Sequence, residues 1–252
     1  MSSIVDSYND FRDLCNQASK DEEVFNNFKR SSVYRRVLEH ANKIQGKEHY
    51  EISLKQCPEL EEFLPKFKKN DTFGNPIVED YKFGVFSPTT LQYMKVLSDL
   101  LIAFGKDKLR DIRILEIGGG YGGQSCILRE YLDIKKYTFV DLPEAISLTK
   151  KYVEGYGYSN NKFINHSDNI VEILKEDYYD LVISNYAFSE LFKDLQKEYM
   201  SLFENIKMGY LTCNQISYNC FSKEEMIKNI PFDVNICSDI STENQDNYIL
   251  TW

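Results

Sequence analysis

Apolar residues recur at two different spacings along the chain. Between residues 24 and 44 they lie near a period of 3.6 residues, and the Ser19-Lys20-Asp21-Glu22 sequence before them has the form of a capping box. We therefore predict one long helix here, with Gly46 as its stop. On this helical pattern, His40 and His49 are expected on helix surfaces.

A second predicted helix is marked at both of its ends. Ser87 is followed by Pro88, a residue suited to the first helical position, and apolar residues then recur to Phe104 before Gly105. The helix is preceded by the dense turn signal NDTFGNP and by an aromatic-rich segment at residues 81–86. The first 110 residues are therefore expected to be mostly helical.

After residue 110, short apolar runs alternate with helical stretches. The runs lie at 112–117, 137–140, 162–164, 181–184 and 210–213, and the helical stretches lie at 124–132, 143–154, 169–175 and 188–206. This alternation predicts a parallel sheet with right-handed crossovers. The last two runs, 232–237 and 248–252, are separated by too few polar residues for a crossover helix. We predict that they pair antiparallel, as a hairpin at the sheet edge.

Composition and charge exclude several classes of protein. The chain has 252 residues, 42% of them hydrophobic, and a formal net charge of −9. It is long enough to bury a core, and no apolar run approaches the ~18 residues of a membrane helix. Its start, MSSIVDSYND, lacks the features of a secretory signal, and its six cysteines form no CxxC pair. We expect a soluble cytoplasmic protein with mostly buried, reduced thiols that binds neither nucleic acid nor membranes.

A glycine-rich turn follows the strand predicted at 112–117. The sequence Glu116-Ile117-Gly118-Gly119-Gly120-Tyr121-Gly122-Gly123 satisfies both the dinucleotide pattern GxGxxG and the pattern GxGxG. Glycines here permit a tight turn and the close approach of a ligand to the backbone. Glu116 distinguishes the two interpretations, because a carboxylate at this place repels a pyrophosphate and attracts an ammonium or sulfonium group.

Two aspartates follow the next two predicted strands. Asp141 ends the strand predicted at 137–140, where a carboxylate can accept hydrogen bonds from both hydroxyls of a ribose. Both NAD and S-adenosylmethionine (SAM) carry that ribose, so Asp141 indicates an adenosine ligand without choosing between them. Asp168 follows the strand after it. Its carboxylate could accept from the adenine amino group, or Ser167-Asp168 could cap the next helix.

Four segments together resemble the motif series of class I SAM-dependent methyltransferases: ILEIGGGYGG, VDLPEA, the acid after the third strand, and DLVISNYAFSEL. The resemblance covers residues 110–252 and implies the α/β fold of that class, which is Rossmann-like. Its seven-stranded sheet is mostly parallel, with an antiparallel C-terminal strand. More narrowly, FGNP, FSPTTLQY, SNYAFSEL and GYLTCNQ resemble a bacterial family of sugar O-methyltransferases. The implied domains are a helical N-terminal cap or substrate lobe at 1–110 and a SAM-binding domain at 111–252.

The resemblance implies SAM as cofactor, S-adenosylhomocysteine (SAH) as product, and a role for each matching residue. Glu116 would hold the SAM amino group, Asp141 its ribose, and Asp168 the adenine amine, with Leu142 against the adenine. The glycines would line the methionyl arm, and Asn185 would contact it through its backbone. The full set of implied cofactor residues, including those of the N-terminal lobe that would close the pocket, is Glu116, Gly118, Gly120, Gly122, Asp141, Leu142, Ser167, Asp168, Asn185, Tyr81, Phe86 and Ser87.

Methyl transfer to an alcohol needs a group that accepts the hydroxyl proton. Glu190 is our candidate base, since a partly desolvated glutamate can have its pKa raised into a useful range; a surface or capping glutamate is the alternative. His166 has suitable chemistry, although a loop histidine beside adenine is the simpler interpretation. Plant-type O-methyltransferases, which share a VDLP-like motif, have their catalytic histidine where this chain has Ser189, so their mechanism is in doubt here. Tyr186, Ser189 and Asn214 are expected to bind the acceptor.

A metal ion is a further alternative for the reaction. Asp141, Asp168 and Glu190 approach one rim of the predicted sheet, which leaves a metal compatible with the sequence. No spacing like HxxxH supports one, and we predict none.

The acceptor class follows partly from an absent motif. Nucleic-acid amino-methyltransferases of this superfamily carry D/N-P-P-Y where this chain has Asn-Tyr-Ala-Phe. We predict an O-methyltransferase that acts on a sugar or a nucleotide-linked sugar, in surface polysaccharide or glycoconjugate biosynthesis. Arg30, Arg35 and Arg36 could hold phosphates of the acceptor or form a solvated helix face. The alternatives are a non-sugar acceptor, an NAD-dependent oxidoreductase and a SAM-fold binding protein without catalysis, and the sequence is compatible with a homo-oligomer.

Overall fold

The structure, a computed structural model, describes residues 4–39, 41–167, 169–214, 219–239 and 247–252. The chain forms two compact units, each made of several segments. The first unit consists of Met1–Lys106, Gly120–Leu132 and Leu142–Ser159, and the second of Asp107–Gly119, Asp133–Asp141 and Asn160–Trp252. The predicted division of the chain at residue 110 stays a prediction.

The first unit is mainly helical. Its helices are α1 (Ile4–Lys20), α2 (Glu22–Asn27), α3 (Ser32–Val37), α4 (Lys43–Gln56), α5 (Leu64–Phe67), α6 (Pro88–Phe104), α7 (Gly123–Arg129) and α8 (Pro143–Tyr156). A small antiparallel hairpin of β1 (Glu79–Tyr81) and β2 (Gly84–Phe86) falls in the aromatic-rich segment, where the sequence predicted no element. Short 3-10 turns connect several of the helices.

The predicted long helix at 24–44 is wrong, because local caps divide it. The Asp21 side chain accepts a hydrogen bond from the Val24 amide and starts α2, whereas the Ser19 hydroxyl donates to the Asn16 carbonyl and caps nothing. Ser31 starts α3 in the same way, and Asn42 forms a capping box with Gln45 at the start of α4. Each cap satisfies backbone amides at the start of a helix. In one continuous helix these amides would already be bonded to the carbonyls of the preceding turn.

The histidines and arginines of this region do not all lie where the predicted long helix would place them. His49 is fully buried in α4, not on its surface, and His40 lies outside the described residues. The three arginines do not share one helix, since Arg30 ends a 3-10 turn and only Arg35 and Arg36 lie on α3.

The helix predicted from Ser87 to Gly105 is confirmed as α6. The Ser87 side chain accepts a hydrogen bond from the Thr90 amide, Pro88 takes the first helical position, and the helix ends at Gly105 with φ +78°. A proline at this position removes no hydrogen bond, because the amide there has no helical partner.

The second unit is a seven-stranded sheet with helices. Its strands are β3 (Ile112–Ile117), β4 (Ile134–Asp141), β5 (Asn161–Asn165), β6 (Leu181–Asn185), β7 (Met208–Cys213), β8 (Asn235–Ser238) and β9 (Tyr248–Thr251). Its helices are α9 (Ile170–Lys175), α10 (Ala187–Glu190), α11 (Lys193–Phe203) and α12 (Lys223–Asn229). The helix predicted at 188–206 is two helices, because Leu191 and Phe192 adopt extended backbone between α10 and α11.

The strand order confirms the predicted fold class. Neighbouring strands follow the order β5-β4-β3-β6-β7-β9-β8. Strands β3 to β7 pair in parallel, and β9 pairs antiparallel with both β7 and β8. This is the Rossmann-like methyltransferase sheet, mostly parallel with an antiparallel C-terminal strand, and it includes the predicted edge hairpin.

Apolar side chains from the sheet and its following helices form the core of the second unit. The buried cluster includes Leu115 and Val182 of the central strands, Phe203 of α11 and Trp252 after β9. Five of the six cysteines are buried, as the sequence predicted, and Cys237 is exposed. Across the described ranges, no helix is both long and apolar enough to cross a membrane.

Candidate active site

Positive backbone angles define the glycine-rich turn after β3. Gly118, Gly120 and Gly122 have φ values of +76°, +58° and +87°, a region that other residues rarely enter. Gly123 instead opens α7. The three left-handed positions are those of the GxGxG pattern, so the backbone distinguishes the two patterns that the sequence left open.

Gly118 also leaves no room for a side chain. A Cβ built there would lie 2.0 Å from the Cβ of Ala187, and the Gly118 amide donates to the Val140 carbonyl at 2.8 Å. The backbone therefore turns tightly between the ends of β4 and β6, which is the edge where open α/β sheets bind ligands.

Glu116 is the most perturbed carboxylate of the second unit. It is 2% exposed, and burial raises its pKa to about 8, with a smaller rise from Asp141 and an opposing effect of the Tyr137 hydroxyl. Among the described residues, its Oε2 atom has no hydrogen-bond partner. A Cβ built on Gly119 would lie only 3.3 Å from that same oxygen. The turn thus brings bare backbone beside an unsatisfied buried oxygen.

An unsatisfied buried carboxylate oxygen is costly unless a ligand completes it. A cationic donor such as an ammonium group suits Glu116, because it would supply the hydrogen bond and the opposite charge together. A pyrophosphate would oppose the ionisation of Glu116 and would supply no hydrogen to its oxygen. The residues present therefore fit the amino group of SAM better than a dinucleotide phosphate.

The ends of β4 and β5 carry the predicted adenosine residues. Asp141 is partly exposed at the end of β4, and its carbonyl accepts from the His166 amide at 2.8 Å. The Ser167 hydroxyl donates to the Asn169 side chain at 3.0 Å. Asp168 lies outside the described residues. The structure thus places Asp141, His166 and Ser167 at one edge of the sheet.

A buried serine joins the glycine-rich turn to the residues after β6. The Ser184 hydroxyl donates to the Ile117 carbonyl at 2.7 Å and accepts from the Phe188 amide at 3.0 Å. Ser184 was not among the predicted site residues, although a hydroxyl residue in an otherwise apolar strand is a visible signal. These two hydrogen bonds of Ser184 fix the start of α10 relative to Ile117, the last residue before the glycine-rich turn.

Tyr186 holds an unusual backbone conformation at the end of β6. Its φ is +67°, which is rare for a bulky residue and is found preferentially at functional sites. Its amide donates to the Thr212 carbonyl at 2.8 Å, and its hydroxyl donates to the Asp239 carboxylate at 2.6 Å. Asp239 lies 53 residues further along the chain, so no local sequence signal pointed to it.

Glu190 and the predicted acceptor residues form one hydrogen-bonded group. The Asn214 amide nitrogen donates to Glu190 Oε1 at 2.7 Å. The Ser189 hydroxyl lies 3.0 Å from the Asn214 side-chain oxygen and accepts from the Asn214 backbone amide at 3.1 Å. Asn185, whose side-chain oxygen accepts from Thr212 at 3.2 Å, lies beside them in sequence. The structure therefore brings together Ser189, Glu190 and Asn214.

The first unit contains the remaining predicted residues. Ser87 is buried, and its hydroxyl lies 2.6 Å from the Asp71 carboxylate, so this hydroxyl is used within the unit. Burial raises the pKa of Tyr81 to about 12. Within the described ranges, the buried Tyr81 hydroxyl has no hydrogen-bond partner. Leu142 caps the start of α8 with its backbone.

The loop glycines of the first unit also approach its own helices. A Cβ on Gly120 would lie 3.3 Å from a methyl group of Leu38, and the Gly120 carbonyl accepts from the Thr149 hydroxyl at 2.7 Å. Phe86, predicted to help close the pocket, is buried. The cofactor roles of these residues stay predictions.

Among the described residues, no group of three or more His, Cys, Asp and Glu side chains is arranged to hold a metal ion.

Comparisons with known proteins identify similar folds at low sequence identity. No protein-family model matches the chain. It is 34% identical over 111 residues to the non-reducing polyketide synthase ausA of Aspergillus calidoustus, which covers 40% of this chain. The chain spans only 4% of the length of that synthase.

Two solved methyltransferases are similar in structure. Magnesium protoporphyrin IX methyltransferase (ChlM) from Synechocystis PCC 6803, with bound SAH, is 13% identical, with a TM-score of 0.49 over 64% of this chain and 80% of that chain. The N-methyltransferase NodS from Bradyrhizobium japonicum WM9, in complex with SAH, is 13% identical, with a TM-score of 0.49 over 63% of this chain and 85% of that chain. The assignment of a Rossmann-like methyltransferase fold rests on the sheet itself, whose strand order and directions define that class.

Proposed function

We propose that this protein is a SAM-dependent methyltransferase that transfers a methyl group to a hydroxyl of a sugar or nucleotide-linked sugar. The observation that carries the proposal is Glu116: a buried carboxylate with an unsatisfied oxygen among the described residues, at the start of a GxGxG turn. This combination favours a cationic ligand over a dinucleotide.

The residues of the second unit divide the cofactor between them. Glu116 holds the amino group, and the partly exposed carboxylate of Asp141 accepts from the ribose hydroxyls. The backbone of Gly118 lets the methionyl arm approach without a side chain in the way. SAM supplies a methyl group on a positively charged sulfur, and the task of the protein is to align it with the acceptor oxygen.

Glu190 takes the proton of the acceptor hydroxyl in this proposal. The Asn214 amide holds one of its carboxylate oxygens at 2.7 Å, and Ser189 in turn holds Asn214. This hydrogen bond orients the carboxylate that would accept the proton. His166 is the second candidate base, and nothing in its described contacts orients its ring.

The acceptor class is supported by polar chemistry at the ends of β6 and β7. Tyr186, Ser189 and Asn214 present a phenol, a hydroxyl and an amide, which suit an acceptor that has several hydroxyls. The resemblance of SNYAFSEL and GYLTCNQ to sugar O-methyltransferases points to the same class.

Two measurements test the proposal in sequence. Calorimetry with SAH and with NAD decides the cofactor, and we expect binding of SAH alone; tight binding of NAD without SAH would reverse the assignment. Mass spectrometry then follows methyl transfer to a panel of free sugars, nucleotide-linked sugars and phenolic, amine and carbon acceptors. Transfer confined to the non-sugar acceptors would overturn the acceptor class, and SAH binding with no transfer to any acceptor would favour a non-catalytic binder.

A further inference from the structure

A buried lysine in the first unit has no role in the proposed reaction. Lys29 is 1% exposed, and its Nζ donates to the Asn70 carbonyl and to the Tyr152 hydroxyl, both at 3.0 Å. Both acceptors are uncharged. Taking an ammonium group out of water without a carboxylate acceptor is expensive, so a lysine here needs another reason.

Aromatic rings surround this ammonium group. Nζ lies 4.4 Å from the ring centroid of Tyr121, 4.8 Å from that of Tyr152 and 5.9 Å from that of Phe28. The Tyr121 and Tyr152 rings meet edge to face, with centroids 4.8 Å apart. A cation over a ring face attracts it strongly when water is excluded. Lys29 therefore draws Tyr121 toward itself.

Tyr121 belongs to the glycine-rich turn. It stands between Gly120 and Gly122, both in left-handed backbone. A Cβ on Gly123 would lie 2.5 Å from the Tyr121 ring, so the ring packs directly on the backbone of its own turn. The Thr149 hydroxyl holds the Gly120 carbonyl from α8. The position of the Tyr121 ring thus constrains the turn from 120 to 123.

Burial acts on the charge of the lysine. It lowers the pKa of Lys29 to about 7, and the charges of Asp71 and Glu39 oppose that shift. A methionine would fill the same space without this cost, because an apolar side chain of similar length loses no hydration. The cost is consistent with a lysine kept for the geometry that its charge imposes.

We propose that Lys29 is a positioning residue that holds the Tyr121 ring, and through it the turn at Gly120–Gly123, in the conformation that binds the cofactor. The identity of that cofactor rests on the proposed function, whereas the effect of Lys29 on the turn does not.

The matched variants are Lys29→Met and Lys95→Met. Lys95 is also a buried lysine of the first unit, 7% exposed, but its Nζ pairs with Asp99 at 2.5 Å within α6. Hydrogen exchange measured by mass spectrometry reports the opening of peptides that contain residues 120–123 in the protein without ligand. We expect exchange there to be about tenfold faster in Lys29→Met and unchanged in Lys95→Met.

Equal exchange of the turn in wild type and Lys29→Met would overturn the proposal. If Lys29→Met does not fold, Tyr121→Leu tests the same contact from the other side. Where both fold, the double variant should add nothing to the faster exchange of Tyr121→Leu, because the ring that Lys29 holds is already absent. Full additivity would contradict a shared mechanism.

Cofactor affinity provides a second readout. We expect Lys29→Met to weaken SAH binding about tenfold while Lys95→Met retains wild-type affinity, even where both lose thermal stability. If Lys29 were purely structural, both variants would lose thermal stability and neither would lose affinity for SAH. If wild-type protein does not bind SAH, the proposed function fails, and the exchange experiment still decides the role of Lys29.

Discussion

Lys29 of the first unit and Glu116 of the second are both buried ionisable groups with shifted pKa values, and their hydrogen-bond partners differ. In the first unit, Lys29 donates to the Asn70 carbonyl and the Tyr152 hydroxyl and lies over the Tyr121 ring. In the second, Glu116 retains an oxygen that none of the described residues satisfies. Lys29 thus has acceptors within the protein, and in our proposal the unsatisfied oxygen of Glu116 is where the ligand binds.

This difference distinguishes a residue that shapes a site from one that binds in it. A buried charged group whose hydrogen bonds are satisfied within the protein rigidifies its surroundings. A buried charged group with an unsatisfied atom can bind a ligand that supplies the missing hydrogen bond. Burial lowers the pKa of Lys29 to about 7 and raises the pKa of Glu116 to about 8. Burial thus disfavours the charged form of both residues. Only Glu116 has an unsatisfied oxygen at which a cationic ligand could stabilise that form.

A second carboxylate, Glu190, gives the comparison its largest expected effect. Glu190 accepts a hydrogen bond from the Asn214 side chain, whereas Glu116 Oε2 has no hydrogen-bond partner among the described residues. Glu190→Gln should reduce the turnover of the methyl transfer about 100-fold or more, because the acceptor proton loses its base. SAH affinity should stay at the wild-type value, measured by calorimetry beside steady-state kinetics. His166→Ala is the control and should turn over normally; the reverse pattern would assign the base to His166.

Removing the charge of Glu116 should instead act on binding. Glu116→Gln keeps the shape of the side chain and loses a charge-assisted hydrogen bond to the ammonium group, so we expect SAH to bind about 100-fold more weakly. Fluorescence or thermal-shift titration measures this. Wild-type affinity in Glu116→Gln would show that the carboxylate is not the ligand of the amino group.

The two buried charges should give opposite dependences of stability on pH. The folded-state pKa of Glu116 is raised from 4.5 to about 8, so the unfolded chain binds fewer protons in that window and stability falls as pH rises through it. The pKa of Lys29 is lowered from 10.5 to about 7, so the unfolded chain binds more protons between those values and stability rises. Each slope is at most about 1.4 kcal/mol per pH unit.

Urea unfolding of wild type, Glu116→Gln and Lys29→Met at pH 5, 7 and 9 separates these contributions. Relative to wild type, Glu116→Gln should gain stability as pH rises, and Lys29→Met should lose it above pH 7. Parallel curves for all three proteins would mean that neither charge is perturbed by folding.

Strong local patterns in the sequence predicted the sheet and the glycine-rich turn. The runs at 112–117 and 181–184 match β3 and β6 closely, because buried strands in a parallel sheet are continuously apolar. The long helix failed, since apolar spacing continues across the breaks that Ser31 and Asn42 impose. A cap is a local hydrogen bond, and periodicity does not detect it.

The residue types of the candidate site could be predicted from the sequence, but their hydrogen-bond partners could not. Glu116 was predicted from its place before the glycine-rich turn and Glu190 from its place after a strand. Nothing local shows that Glu116 has an oxygen unsatisfied by the described residues, or that Glu190 is held by Asn214 at another strand end. Ser184 and Asp239 were missed for the same reason: their partners Ile117 and Tyr186 are 67 and 53 residues away. Such pairs are set by tertiary packing.

Proton-linked calorimetry of SAH binding tests the central claim most directly. With a pKa of about 8, Glu116 is mostly protonated at pH 7 in the free protein, and an ammonium ligand requires the carboxylate form. Binding at pH 7 in buffers of different ionisation enthalpy should therefore release close to one proton in wild type and none in Glu116→Gln. Affinity should rise up to about tenfold per unit between pH 6 and pH 8 in wild type only. Binding of SAH with no proton released, and with the same pH dependence in both proteins, would contradict the account.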